Sequence, residues 1–228
     1  MTYDHPEFAG SKLHDKVQSP RDSATLILVR RDDGRPRVLM GERSAAHAFM
    51  PNKYVFPGGR LDPGDSKMTP VRDLHAATLA KLMTRMRGRP SANRARGLAI
   101  AAIRETLEEA GLLFGRKTPD ETPDLSAIHF FARAITPPGR TRRFDSRFFV
   151  AEAANVSNLD NPIHIGTEEL LTLRWLTIDE TLGLDLPLIT VDILGRLKPY
   201  LDRGTQPAPG DPVSFQYLRG KTWRDEVI

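Results

Sequence analysis

Three carboxylates crowd one short stretch of this chain. They are Glu105, Glu108 and Glu109, within Arg104-Glu105-Thr106-Leu107-Glu108-Glu109-Ala110-Gly111-Leu112. Positions i, i+3 and i+4 share one face of a helix, so the spacing gathers all three acids on one side. No Lys or Arg stands four residues after any of them. Gly111 reads as the helix stop, which puts the acids in the last turn, where the helix dipole disfavours anions. Like-charge neighbours and the dipole each cost up to about 1 kcal/mol. Such a cluster calls for a compensating positive charge. A hard divalent cation held by oxygen, Mg²⁺ first, is the simplest candidate. A solvated acidic face is the plain alternative. It fits less well, because Leu98, Ala99, Ile100, Ala102, Ile103, Leu107 and Ala110 leave the rest of the helix apolar. The glutamates are therefore expected to line a cleft.

A helix must deliver these acids, and strands must face them. Ser91 or Asn93 is placed to cap a helix running to about Gly111. Ahead of it, apolar residues at 71, 74, 79, 82, 83 and 86 predict an amphipathic helix over 71–86, broken by Arg87-Gly88-Arg89-Pro90. Met83 and Met86 read as its buried face. Strands are predicted at 25–29, 38–40, 55–56, 128–134, 147–151 and 173–176, a short helix at 178–182 and a longer one at 189–200. Asp32-Asp33-Gly34 is a hairpin turn signal, Pro57-Gly58-Gly59 permits a tight backbone path, and Asp62-Pro63-Gly64-Asp65 is another turn. Strands, then helices, then strands and a last helix argue an α+β fold, a mixed sheet sandwiched between helices. Residues 1–21 are polar and aperiodic, an N-terminal arm. Residues 22–202 form the domain, and 203–228, rich in Pro and Gly at the start, are expected to be an extended tail.

The 228 residues suit one large domain, and 39% hydrophobic with 27% charged residues reads as soluble and globular. No apolar run approaches the roughly 20 residues of a membrane helix, and no signal-peptide pattern opens the chain. Cysteine is absent, which removes disulfides and thiolate chemistry and fits a reducing, cytoplasmic setting. The net charge is +4, small for a nucleic-acid binder. Arginines do cluster, at 85–96 and at Arg140, Arg142, Arg143 and Arg147. Phosphate contacts and solvated surface are equal readings of them.

Together, Gly59-Arg60-Leu61-Asp62-Pro63-Gly64-Asp65 and Arg104 to Leu112 resemble the Nudix box. That motif runs Gly, five residues, Glu, seven residues, then Arg-Glu-aliphatic-any-Glu-Glu-any-Gly-aliphatic. The second half matches except at Thr106, where an aliphatic is usual, and the first half matches with Asp65 in place of Glu. Residues 66–103 replace the short spacer, so the helix predicted over 71–86 reads as an insert (66–96) in a loop, a cheap place for one. The coenzyme A diphosphatase-like branch of the Nudix superfamily carries an insert there. Arg43 to Pro51, Val55-Phe56-Pro57-Gly58-Gly59 and Arg143 to Phe149 are similar to that branch.

The resemblance implies a Nudix fold and hydrolysis of a diphosphate linked to another moiety, with Mg²⁺, or Mn²⁺ in its place, as cofactor. Glu105, Glu108 and Glu109 would supply the main metal site and Gly59 its carbonyl, while Arg104 would orient a glutamate. A further carboxylate is expected from a later loop; Glu168 and Glu169 are the candidates, with an exposed loop pair as the equal alternative. Arg43, Arg140, Arg143 and Arg147 would meet substrate; for Arg43, as for Glu42, a sheet-edge ion pair is as good a reading. Coenzyme A or an acyl derivative is the first substrate, giving phosphopantetheine and adenosine 3′,5′-bisphosphate, the arginines holding the extra phosphate. ADP-ribose, NADH and nucleotide sugars are the rival substrates, and a non-catalytic ligand-sensing module is the rival class. Loss of the glutamates would mark that class, and here they are intact. No nucleic acid or membrane partner is expected, and a homodimer is compatible with the chain. The ending Asp225-Glu226-Val227-Ile228 is no peroxisomal signal. His47 and His75 read as surface or packing residues, Trp175 as core, and Asp65 as a turn cap or a support behind the site.

Overall fold

The computed structural model describes residues 18–45, 52–140, 142–162 and 169–228. Nine strands form one mixed sheet: β1 (Arg21–Arg30), β2 (Arg37–Arg43), β3 (Tyr54–Val55), β4 (Gly58–Arg60), β5 (His129–Ile135), β6 (Phe144–Glu152), β7 (Leu170–Leu176), β8 (Ser214–Arg219) and β9 (Thr222–Val227). The helices are α1 (Ala76–Met83), α2 (Ala92–Ala110), α3 (Ile178–Thr181) and α4 (Leu188–Asp202). The order along the sheet is β3-β2-β1-β6-β5-β8-β9, with β4 on β1 and β7 on β2. β1 runs parallel to β6, and β5 parallel to β8; the other pairs are antiparallel.

Central β1 reads Ala24-Thr25-Leu26-Ile27-Leu28-Val29, nearly continuous apolar sequence, because both of its faces are covered. Alternation sorts the side chains. Ala24, Leu26 and Leu28 pack with α1 and α2, whereas Ile27 and Val29 pack with Ile193, Leu194, Leu197 and Leu201 of α4. The sheet is therefore sandwiched as the sequence predicts. α2 begins at Ser91, whose hydroxyl accepts from the Arg94 N–H, and ends at Gly111 in the left-handed region, φ 66°.

Two elements differ from expectation. The helix predicted over 71–86 is helical only from Ala76. Before it, the Val71 N–H bonds Pro123 O and the Leu125 N–H bonds Arg72 O, so residues 71–74 pair with a neighbouring loop. His75 then caps α1, its Nδ1 accepting from the Ala77 N–H. Leu82 and Met86 are buried and Met83 packs beside them, so the insert adds to the core. The expected extended tail is a β-hairpin that joins the sheet. Its Pro and Gly residues lie at 204–212, ahead of the strands, and Gly220-Lys221 closes a two-residue turn with Gly220 at φ 63°.

Candidate active site

A cleft of about 500 Å³ opens at one end of the sheet, on its α4 side. Ser23 and Thr25 of β1 and Ser146 and Phe148 of β6 line its floor, with the two serine hydroxyls 2.7 Å apart. Glu105, Glu108 and Glu109 enter from α2. They can do so because β4 carries no side chains at Gly58 and Gly59. A Cβ on Gly59 would sit 2.2 Å from the Glu105 carboxylate, and one on Gly58 would sit 2.6 Å from Thr25 Oγ1 and the Ala24 carbonyl. The Gly58 N–H donates to Glu109 at 2.8 Å. The double glycine is thus required by close approach, from both sides, rather than by turn geometry.

Arg104 supplies the positive partner that the i+4 positions lack. It lies one residue before Glu105 and four before Glu108, and its Nη1 donates to both, at 3.0 and 3.1 Å. Behind it stands Asp65, which accepts from Arg104 Nε at 3.1 Å and from the Asp62 N–H at 2.8 Å. Asp65 is therefore both turn cap and support, and the Asp-for-Glu departure preserves that link. Against the cost of burial, the bond to Asp65 and the charges of Glu105 and Glu108 hold the Arg104 pKa above its ordinary value. Glu109 receives no bond from Arg104. Burial pushes its pKa up to about 8, despite the Gly58 N–H and the charge of Arg43. Glu105 is also raised, first by burial. Among the described residues, no three His, Asp or Glu side chains are gathered into a ready metal cage. The donors nonetheless suit a hard cation: carboxylates facing a cleft, with burial raising the pKa of Glu105 and Glu109 and their mutual repulsion adding to it.

Of the other expected site residues, Arg43, Arg140 and Glu169 line the cleft. Burial lowers the Arg43 pKa, opposed by Glu109, Glu169 and Glu105, so Arg43 sits within the field of the acids. Glu168 and His47 lie outside the described residues. Two expectations are corrected. Arg147 does not meet substrate: its side chain is fully buried on the opposite face of the sheet, bonded to Asp22 Oδ1 at 2.7 Å and paired with Asp145. On β6, odd residues face α2 and even residues face the cleft, and 147 has the wrong parity. Arg143 is not part of the lining either; its guanidinium donates to the backbone carbonyls of Thr136 and Gln18. The arginines at 85–96 also stay out of the cleft. Arg85 pairs with Glu226, Arg94 with Asp22 and Arg96 with Asp73. Arg142 and Trp223 do line the cleft. Strand alternation within 214–227 was the available signal for Trp223.

Comparison with known proteins agrees with this geometry. The chain is 34% identical over 187 residues to a Caenorhabditis elegans protein named "Putative nudix hydrolase 7". The match covers 71% of this chain and 53% of the relative, so the chain spans about half the length of the protein it matches. A crystal structure of a NUDIX hydrolase from Alicyclobacillus acidocaldarius superposes with a TM-score of 0.55 at 23% identity, covering 84% of this chain and 93% of the other. No family model matches the chain. Among the described residues, no helix is long and apolar enough to cross a membrane. The chain has the Nudix fold, and likeness of sequence and of fold together support its place in the Nudix hydrolase superfamily.

Proposed function

We propose that the chain is a Mg²⁺-dependent diphosphatase that hydrolyses a nucleoside diphosphate linked to another moiety. The observation that carries this reading is the approach of the α2 carboxylates past Gly58-Gly59 into an open cleft rimmed by Arg140 and Arg142. Glu105, Glu108, Glu109, the Gly59 carbonyl and Glu169 would hold the ion, with Mn²⁺ as an alternative. When bound, the ion neutralises phosphate oxygens and acidifies a water. The protein's own part is positioning. Arg104 orients Glu105 and Glu108, Asp65 fixes Arg104, and the Gly58 N–H aims Glu109. Chemistry of this kind needs charge placement rather than a protein nucleophile.

Coenzyme A or an acyl-coenzyme A is the substrate we assign first. Arg140 and Arg142 line the cleft and would meet its extra phosphate by charge-assisted contacts. A panel of coenzyme A, ADP-ribose, NADH and nucleotide sugars, with and without Mg²⁺ and with products read by mass spectrometry, tests both levels. Rapid turnover of ADP-ribose with none of coenzyme A overturns the substrate. No Mg²⁺-dependent turnover of any member overturns the activity.

A further inference from the structure

The lining of the cleft is chemically mixed. The acids of α2 line it, and so do the apolar side chains of Ile135, Pro137, Phe144, Ile189 and Trp223 together with Arg140 and Arg142. Among the described residues, Trp223 is the only one after Thr190 that lines it. It stands on β9, opposite Leu218 of β8. That hairpin meets the rest of the sheet through only three residue pairs, Ala132–Ala134 with Ser214–Gln216. So short a ladder cannot by itself fix an edge hairpin.

Additional holds come from α4, where Gln216 bonds Asp192 at 2.9 Å and Arg196 pairs with Asp225, and from the insert. Arg85 lies over Phe215 and Tyr217, at 4.7 and 4.9 Å from their ring centres, bonds the Tyr217 hydroxyl at 2.9 Å and pairs with Glu226. Its backbone takes φ 55°, a region that side chains other than glycine seldom occupy. Arg133 donates to the Arg85 carbonyl at 3.0 Å and holds it there. Lys81 of α1 bonds the carbonyls of Pro209 and Asp211, just ahead of the hairpin. None of residues 66–96 lines the cleft, so the insert acts at one remove.

We infer that Trp223 is the surface on which the nucleobase of the substrate stacks, and that the insert positions it through Arg85. A planar aromatic face beside guanidinium groups suits a base next to phosphate. The inference rests on the diphosphatase reading for the presence of a nucleotide. Its test reads binding of the base without turnover. The Trp175→Phe variant leaves Trp223 as the sole indole. Titration with 5′-AMP is expected to quench its fluorescence to saturation, whereas ribose 5-phosphate, which lacks the base, is not. By calorimetry, Trp223→Ala should weaken 5′-AMP binding about 5- to 100-fold, the usual range for loss of one stacked base, and Trp223→Phe should recover most of it. Arg85→Ala should weaken 5′-AMP binding in the wild-type background and have no further effect in Trp223→Ala, which a general loss of stability would not reproduce. Equal responses to the two ligands, 5′-AMP binding within about twofold of wild type in Trp223→Ala, or additive effects of the two substitutions would each overturn it. A wild type that stacks 5′-AMP but hydrolyses no diphosphate would instead overturn the function and leave the stacking site standing.

Discussion

The two faces of β6 carry buried charge in opposite ways. Toward α2, Asp145 accepts from Arg133 Nε and Nη2, both at 2.8 Å, while Arg147 bonds Asp22 at 2.7 Å. Each acid there has a guanidinium partner, although Arg147 Nε and Nη2 are buried without a hydrogen bond. Toward the cleft, Glu109 is almost as deeply buried, yet its direct partner is a backbone N–H and its pKa is pushed up to about 8. Paired charge holds strands together; charge left incompletely answered, and facing open space, marks where a ligand belongs. Substitutions on the two faces should therefore have opposite signatures.

The largest effect is expected on the paired face. Asp145→Asn removes the charge that two buried guanidinium groups share, and should lower unfolding stability by about 3–5 kcal/mol, read by urea denaturation. Activity per folded molecule should be little changed, since Asp145 does not line the cleft.

Glu109→Gln should do the reverse. If the proposed activity holds, loss of this carboxylate should cut Mg²⁺-dependent turnover about 100- to 1000-fold. Without metal, the same substitution removes a buried acid that resists ionisation, so the melting temperature at pH 8 should hold or rise. Glu105→Gln should lose activity similarly. Retained turnover in both variants would dismiss these residues as the site, and a falling melting temperature for Glu109→Gln would dissolve the contrast with Asp145.

The contrast also has a pH signature. An ordinary glutamate ionises near 4.5, whereas Glu109 holds its proton to about 8. Below pH 4.5 both folded and unfolded chains are protonated and this stabilising contribution is fully present. Between these limits only the folded chain keeps the proton, so metal-free stability should fall as pH rises toward 8 and level off above it. Cation uptake must expel that proton. Apparent Mg²⁺ affinity should therefore rise by up to about tenfold per pH unit below 8 and then flatten, measured by calorimetry in buffers of different ionisation heat. Affinity that is flat from pH 6 to 8 would mean Glu109 is not a ligand.

The sequence shows these two faces unequally. Local signals survive folding: the Ser91 cap, the Gly111 stop and the i, i+3, i+4 acids are properties of one helix. The layers were legible too, since a covered central strand must be apolar throughout. Arg147 was not, because its fate depends on which parity of β6 faces the cleft, and parity is set by pairing with distant β1 and β5. The tail hairpin was hidden by its own leader, where Pro and Gly outweighed a short alternating segment. The role of Arg104 as internal counter-ion was half visible: a test at i+4 alone overlooks a partner at i−4.

The smallest effect should come from Arg96, one of the clustered insert arginines for which phosphate contacts and solvated surface were equal readings. Arg96 bonds the Asp73 carboxylate with Nε at 2.9 Å and Nη2 at 2.8 Å, and both residues lie at the surface, away from the cleft. Water screens such a pair, and ordering two long side chains offsets most of what remains. Arg96→Ala should therefore change stability by less than about 1 kcal/mol and leave KM for the proposed substrate where it was. Arg140→Ala and Arg142→Ala, on the cleft rim, should raise KM with little change in kcat. A KM that responds to Arg96 and ignores Arg140 and Arg142 would move phosphate recognition from the cleft to the insert, and with it the distinction between the charges that hold this protein together and those that meet its ligand.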